Sequence, residues 1–338
     1  MRRSLRSRDR QVKEGREKAT VRMLSGTLSE APRVSILLPT LNAERDLARL
    51  LPALAAQEID GGFELIAVDS DSSDRTRELL EAAGARVERI ERRDFRHGPT
   101  RNQLVQMARA PIVVFLSQDA VPQGKHCIAS LIDAFQDEAV VGATGRVLPY
   151  PEDDPLTQRS VLAAPEAGSL TRRMRAPTAG LDGVPPADLL ELCRFNDVVS
   201  AMRTSVVLAL PLPDLPFGED VAWAREALRS GHELVFAASA VVLHSHHYTP
   251  AQAFERFRVD AAFLRREFQL RVRPNLFSVV RGIAHELRQD WRHLVGQNQS
   301  RLHWLRSLLL RPAQIFGQYF GSNGWALPGG SSATRQYR

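Results

Sequence analysis

Carboxylates and imidazoles recur in this chain where strand-like runs give way to turns. Ile112 to Leu116, an apolar run of buried-strand type, leads into Ser117, Gln118, Asp119 and Ala120. Gly218, Glu219 and Asp220 stand at the mouth of a helical stretch, and Val241 to Leu243 delivers His244, Ser245, His246 and His247. One carboxylate and one imidazole can hold a divalent cation whose other positions go to phosphate oxygens and water, and such a mixed donor set favours Mn²⁺ slightly over Mg²⁺. Asp119, His244 and His246 are therefore candidate metal ligands. Strand alternation puts the two imidazoles on one face, which also fits satisfied structural histidines. Glu219 and Asp220 join this group, or else they only complement a helix dipole, an effect worth up to about 1 kcal/mol.

Two further places could contact a nucleotide. Asp69 follows the strand-like Ile66, Ala67, Val68, where a carboxylate can accept from base or ribose donors. Asp71 and Asp74 fit helix capping equally well. In the segment Phe95 to Asn102, Pro99 opens a helix with Arg101 and Asn102 in its first turn. An arginine there opposes the dipole unless an anion is near, so a diphosphate contact competes with a solvated side chain.

The elements that must position these residues are legible as alternation. Val34 to Leu38, Leu47 to Leu54, Phe63 to Val68 and Thr76 to Ala83 read β, α, β, α. Arg86 to Ile90, Pro99 to Ala108, Ile112 to Leu116 and Ile128 to Phe135 continue the pattern. The fold class is α/β: a doubly wound, mostly parallel sheet with helices on both faces, whose ligands sit beyond the carboxyl ends of the strands. Residues 149–185, rich in Pro, Gly and Ala, read as a long surface loop that could cover a substrate. A helix over Val221 to Ser230 is closed by Gly231, and two strands follow, Glu233 to Phe236 and Val241 to Leu243. From Pro250 to near Phe320 the chain reads as helical, with breaks at Pro274 and Pro312. The expected organisation is a disordered basic arm over 1–31, a catalytic domain over 32–268 and a basic, mainly helical extension over 269–338.

Composition narrows the function. The chain has 338 residues, 43% hydrophobic and 25% charged, which is ordinary globular usage. Its formal charge of +6 is unevenly placed: residues 1–22 carry +6, 23–264 carry −9 and 265–338 carry +9. An acidic middle between basic ends is not the continuous positive face that tracks a phosphate backbone, so nucleic acid is not the expected substrate. Cys127 and Cys193 lack metal-ligand spacing and form no disulfide framework, which suits a reducing compartment. The arginine-rich start is followed by no apolar segment of signal type, and no window approaches the roughly 20 apolar residues that span a bilayer. The expected location is cytoplasmic, with any membrane contact peripheral.

Taken in order, Pro39 Thr40 Leu41 Asn42, Val68 Asp69 Ser70, Ser117 Gln118 Asp119 Ala120, and Gly218 Glu219 Asp220 with Trp223 resemble the inverting glycosyltransferases of family 2. The segments Phe95 to Asn102 and His244 to Tyr248 look most like bacterial rhamnosyltransferase-type members. The likeness covers roughly Arg33 to Phe268. It implies a GT-A fold, a nucleotide-diphosphate sugar donor such as dTDP-rhamnose or a UDP-hexose, and a divalent cation at the motif written Asp-X-Asp. Ser117 replaces the first acid of that motif, which leaves Asp119 alone and raises the importance of His244 or His246. Residues Phe195 to Ala201 also depart, with Asp197, Val198 and Val199 where similar enzymes carry more Asn and Ser.

The donor contacts implied are Pro39, Thr40, Asn42, Asp69, Arg101, Gln118 and Asp119. The mechanism implied is a single displacement with inversion, in which Asp220, beside Glu219, removes the proton of an acceptor hydroxyl. The acceptor class implied is a glycan or a lipid-linked glycan, in polysaccharide biosynthesis. Leu302, Trp304, Leu305, Leu308 and Leu309, interspersed with Arg301, Arg306 and Arg311, could form a helix lying on an anionic leaflet or one packed on the catalytic domain. A nucleotidyltransferase would need a Gly-rich phosphate loop with a basic residue after the first strand, and Pro39 to Ala43 supplies none. A catalytically silent sugar-nucleotide-binding or scaffold protein of the same fold is made conceivable by Ser117, but the presence of both Asp119 and Asp220 argues against it.

Overall fold

The computed structural model describes residues 32–296 and 301–324; the basic arm expected over 1–31 lies outside the described residues. The first half alternates as the apolar runs demand: β1 (Val34–Thr40), α1 (Glu44–Ala55), β2 (Phe63–Asp69), α2 (Thr76–Ala82), β3 (Arg86–Arg89), α3 (His97–Met107) and β4 (Ile112–Leu116). These strands lie side by side in the order β3-β2-β1-β4, all parallel. β4 is buried at every position, as befits a strand covered on both faces.

Alternation along the central strands divides the core in two. Ile36, Leu38, Val114 and Leu116 pack with Leu47, Leu50 and Leu54 of α1 on one face. Leu37, Val113 and Phe115 pack with Leu104 and Val105 of α3 on the other. Ser35 is a buried polar residue in this core, and it is satisfied: its hydroxyl donates to Glu64 at 2.6 Å and accepts from the Ala110 amide at 3.1 Å.

The second half completes the sheet with β5 (Val121–Pro122), α4 (Cys127–Ile132), β6 (Val140–Leu148), α5 (Pro155–Leu162), β7 (Arg172–Arg175), α6 (Pro186–Leu192), β8 (Val199–Arg203), α7 (Thr204–Ala209), α8 (Glu219–Arg229) and β9 (Glu233–Leu243). β8 lies between β4 and β6 and runs antiparallel to both, whereas β6 and β9 are parallel. The far edge of β9 pairs with β7 near its start and with β5 at its end. The sheet is thus parallel through β3-β2-β1-β4 and mixed as a whole, with helices on both faces.

Three expectations are amended. Residues 149–185 are not one loop, since they contain α5 and the edge strand β7, and the cap of α5 is a sequence signal in itself: Asp154 accepts from the amides of Leu156 and Thr157, with Pro155 at the first helical position. The two strands expected over 233–243 are one strand, with an irregular register against β6 between Gly145 and Arg146. The helical remainder forms α9 (Pro250–Phe268), α10 (Leu276–Gly296) and α11 (Arg301–Asn323). Pro274 falls in the break between α9 and α10, but Pro312 lies inside α11. α11 is held against α9 beyond that proline. A Cβ at Gly317 or Gly321 would come within 2.3 Å and 2.1 Å of the carbonyl oxygens of Phe254 and Arg258, so the two backbones meet across a glycine seam.

Candidate active site

A cavity of about 460 Å³ opens at the carboxyl ends of β1, β2 and β4. Thr40, Ser70, Ser117 and Asp119 come from the strand ends, His244 and His246 from the end of β9, and Arg92 and Tyr248 from the flanking turns. This is the position at which open α/β sheets bind ligands.

Asp119 and the two histidines meet here, each offering one ligand atom, and those atoms all lie within 4.8 Å of one another. Nε2 of His244 is 3.4 Å from Oδ1 of Asp119, and Nδ1 of His246 is 3.8 Å from Oδ2. The imidazoles stand edge to face, 4.6 Å between centroids. Burial pushes the Asp119 carboxyl up, but the hydrogen bond and charge of His244, followed by the charge of His246, outweigh it and hold the group below the usual carboxylate range. Burial, then the neighbouring His244, pushes His246 down to about 4, so its ring is neutral at physiological pH and has a lone pair to give. One carboxylate and two imidazoles on a cavity wall fit a divalent cation.

A second group of charges lies behind His97. Arg101 is 8% exposed, and its Nη1 donates to Glu219 at 2.6 Å. Its Nε sits 3.0 Å from Oδ2 of Asp197, close but without hydrogen-bond alignment. Asp220 accepts from the Asp197 amide at 3.2 Å and from the Val221 amide at 2.8 Å. Burial, and after it the negative charges of Glu219 and Asp197, raise the Asp220 carboxyl well above its ordinary value. Burial likewise raises Asp197, against the pull of Arg101. The chain can present α8 at this point because Gly218 caps it with φ 80°, a conformation in which a Cβ would strike the Phe263 ring at 2.4 Å.

The donor-contact expectations fare unevenly in this geometry. Pro39, Thr40, Gln118, Arg101 and Asp119 lie on the cavity wall. Gln118 is committed to the β1 turn: its Oε1 accepts from the Leu41 amide at 2.9 Å and its Nε2 donates to Asp46 at 2.9 Å. Asp69 is fully buried and off the wall, its carboxylate accepting from the Ser72 amide and hydroxyl, while the adjacent Ser70 faces the cavity. Asn42 also lies off the wall, accepting from the Ser73 amide at 2.9 Å with φ 47°. Arg101 is a matched internal cation and not a free one, because Glu219 and Asp197 arrive from distant sequence to meet it. Arg92, on the wall and without an ion pair among the described residues, is the open cation that sequence reasoning missed. Nothing in the charged turn Glu91 to Asp94 distinguishes it from a solvated one.

A second cavity of about 420 Å³ shares His244, His246 and Tyr248 with the first and is closed by α5, α9 and α11. Its polar wall includes Asn196 and Asp260, each with a side-chain oxygen that lacks an aligned hydrogen-bond donor among the described residues. Burial pushes the Asp260 carboxyl up to about 6 even with Arg256 3.2 Å away. Asn196 precedes Asp197, whose amide holds Asp220, so this cavity borders the carboxylate cluster.

Comparison with known proteins places this architecture. Residues 35–184 match the family model described as glycosyl transferase family 2, and the sheet and helices have the GT-A arrangement. Among curated proteins, the chain is 27% identical over 228 residues to O-antigen chain rhamnosyltransferase RfbN of Salmonella typhimurium, covering 67% of this chain and 70% of that protein. It is 28% identical over 229 residues to O-antigen chain rhamnosyltransferase WbaN of Salmonella anatum, with the same coverage. Among solved structures, the mannosyltransferase PcManGT from Pyrobaculum calidifontis, in complex with GDP-Man and Mn²⁺, superposes with a TM-score of 0.50 over 94% of this chain and 83% of that one, at 15% identity. The protein is a glycosyltransferase.

Proposed function

We propose that this glycosyltransferase is an inverting, metal-assisted enzyme of polysaccharide assembly that moves a sugar from a nucleotide diphosphate to a hydroxyl of a glycan or lipid-linked acceptor. The observation that carries the reading is the convergence of Asp119, His244 and His246 on a cavity walled by strand-end residues. A divalent cation held by these three would supply positive charge to the leaving diphosphate. Arg92, open to the same cavity, adds to that charge. Likeness to RfbN and WbaN makes dTDP-L-rhamnose the first donor to test, with UDP-hexoses next. The catalytic unit is read as residues 32–268, acting at the cytoplasmic side.

In this reading the acceptor occupies the second cavity, whose polar lining includes Asn196 and Asp260. The acceptor oxygen bonds to the anomeric carbon as the bond from that carbon to the diphosphate breaks. Asp220 takes the hydroxyl proton, and the nucleoside diphosphate leaves as an anion. Asp220 itself lines neither cavity, and hydrogen bonds of this kind commonly tighten only once substrates are bound. Arg101, paired with Glu219 and Asp197, acts as a positioning residue for it.

The test is a thermal-shift panel of dTDP-rhamnose, UDP-glucose, UDP-galactose and GDP-mannose, each with Mn²⁺, with Mg²⁺ and with chelator. A shift with one donor that disappears with chelator, and is lost in Asp119→Ala, is the expected result. Equal shifts with and without metal would remove the metal from this reading, and no shift with any donor would favour a silent scaffold.

A further inference from the structure

Of the large apolar side chains that are exposed among the described residues, thirteen in all, ten lie on α10 and α11. They are ordered rather than scattered. On α10, Phe277, Val280, Trp291 and Val295 recur at helical spacing along one outward stripe. On α11, Leu302, Leu305, Leu309 and Phe316 do the same. The two helices pair antiparallel as a hairpin: the Trp291 and Trp304 rings stack edge to face at 5.3 Å at one end, and Arg273 meets Gln318 and Ser322 at the other. An ordered set of exposed apolar side chains of this kind on a folded chain marks an interaction site.

The charges on the hairpin are sorted as well. Its two acids face inward, where Asp290, fully buried, binds Arg311 and Ser307, and Glu286 pairs with Arg159. Arg306 and Arg311, read from sequence as part of a basic outer face, also turn inward, to Asp154 and Asp290 respectively. The exposed charges on the described part of the hairpin are Arg281, Arg288 and Arg292, all on α10 beside the apolar stripe. An apolar stripe edged only by arginine complements one partner chemistry in particular, a bilayer surface of anionic phospholipid. No helix among the described residues is long and apolar enough to cross a membrane, so the contact is a lateral one.

We infer that the α10–α11 hairpin is a docking surface for an anionic membrane, on which the enzyme lies with Phe277, Trp291, Leu302 and Leu305 in the interface and Arg281, Arg288 and Arg292 at the headgroups. The inference concerns a different surface from the two cavities and does not rest on the donor or acceptor assignments.

The test is co-sedimentation of the full chain with vesicles of phosphatidylethanolamine and phosphatidylglycerol (3:1), against vesicles of phosphatidylcholine alone. The expected result is binding to the anionic vesicles only, weakened by salt, and lowered at least tenfold in Phe277→Glu with Leu305→Glu. Arg288→Gln with Arg292→Gln should lower it by about fivefold per arginine. The substituted side chains are exposed, so the variants should keep the wild-type melting temperature, which separates loss of docking from loss of fold. Equal binding to both vesicle types, or undiminished binding by the double glutamate variant, would overturn the inference. So would a dimer in light scattering that the same glutamates disperse while vesicles bind nothing, since the face would then belong to a second copy of the chain.

Discussion

At the residue scale, the proposed mechanism gives two carboxylates separate tasks. Asp119 is held ionised beside imidazoles, whereas Asp220 is raised by burial and by the acids around it. A proton acceptor must be ionised to act, so transfer should weaken as pH falls through the Asp220 value, above the usual carboxylate range. A kcat/KM profile placing this limb at an ordinary carboxylate pH would detach the rate from Asp220. Asp220→Asn should lower kcat by about 10²–10⁴-fold while donor affinity by calorimetry stays near wild type. His246→Ala should instead weaken the metal-dependent thermal shift and spare metal-free nucleotide binding. The pairing of Arg101 with Glu219 predicts that Arg101→Lys, which lacks the planar fork, moves the pH limb upward as positive charge near Asp220 becomes less well placed. An unchanged profile with lowered donor affinity would return Arg101 to the diphosphate.

At the element scale, the hairpin is tied to the catalytic unit by a buried ion network rather than by apolar packing alone. Asp290 lies at 0% exposure between Arg311 and Arg159, with the Arg311 Nε at 2.7 Å. Burial raises its carboxyl, but the Arg311 hydrogen bond and charge outweigh that and depress it below the ordinary value. A depressed folded-state value contributes stability that is present above the unfolded pKa and lost as pH falls through the folded one. Asp290→Ala leaves Arg311 buried and unpaired, and it should destabilise the protein by about 3–5 kcal/mol in urea melts. Replacement of both members by apolar residues should cost less, and a double variant as unstable as the single one would show that the pair itself stabilises. The glycine seam predicts separately that Gly321→Leu lowers the melting temperature by forcing α11 away from α9.

At the scale of the whole molecule, two cavities lie on either side of the histidine segment, and the helical hairpin both closes the second cavity and carries the apolar, arginine-edged face. With the acceptor in the second cavity, as proposed, its entry would be coupled to the C-terminal helices. Filling the second cavity from the hairpin side, with Leu310→Trp, should raise the acceptor KM while the donor-induced thermal shift is retained. A variant that instead lost donor binding would mean the two cavities are one site.

The sequence by itself determined the alternation of elements, because short apolar runs and amphipathic stretches have periods that only strands and helices satisfy. It also determined which strand ends carry Asp119 and the histidines and which helix start carries Asp220, since motif order survives without knowledge of contacts. The partners of those residues were decided only by the tertiary structure. Arg101 and Glu219 are separated by 118 residues, and nothing local in either segment signals that they neutralise one another. Asp69 looks like a ligand contact in sequence because a strand-end acid is polar. It is buried because Ser72 and Thr40 satisfy it. The same holds for Arg306 and Arg311, which periodicity alone leaves free to face solvent and which long-range acids turn inward. Local pattern fixes which face of an element is apolar, but the direction a charged side chain takes depends on where the rest of the chain brings its counter-charge.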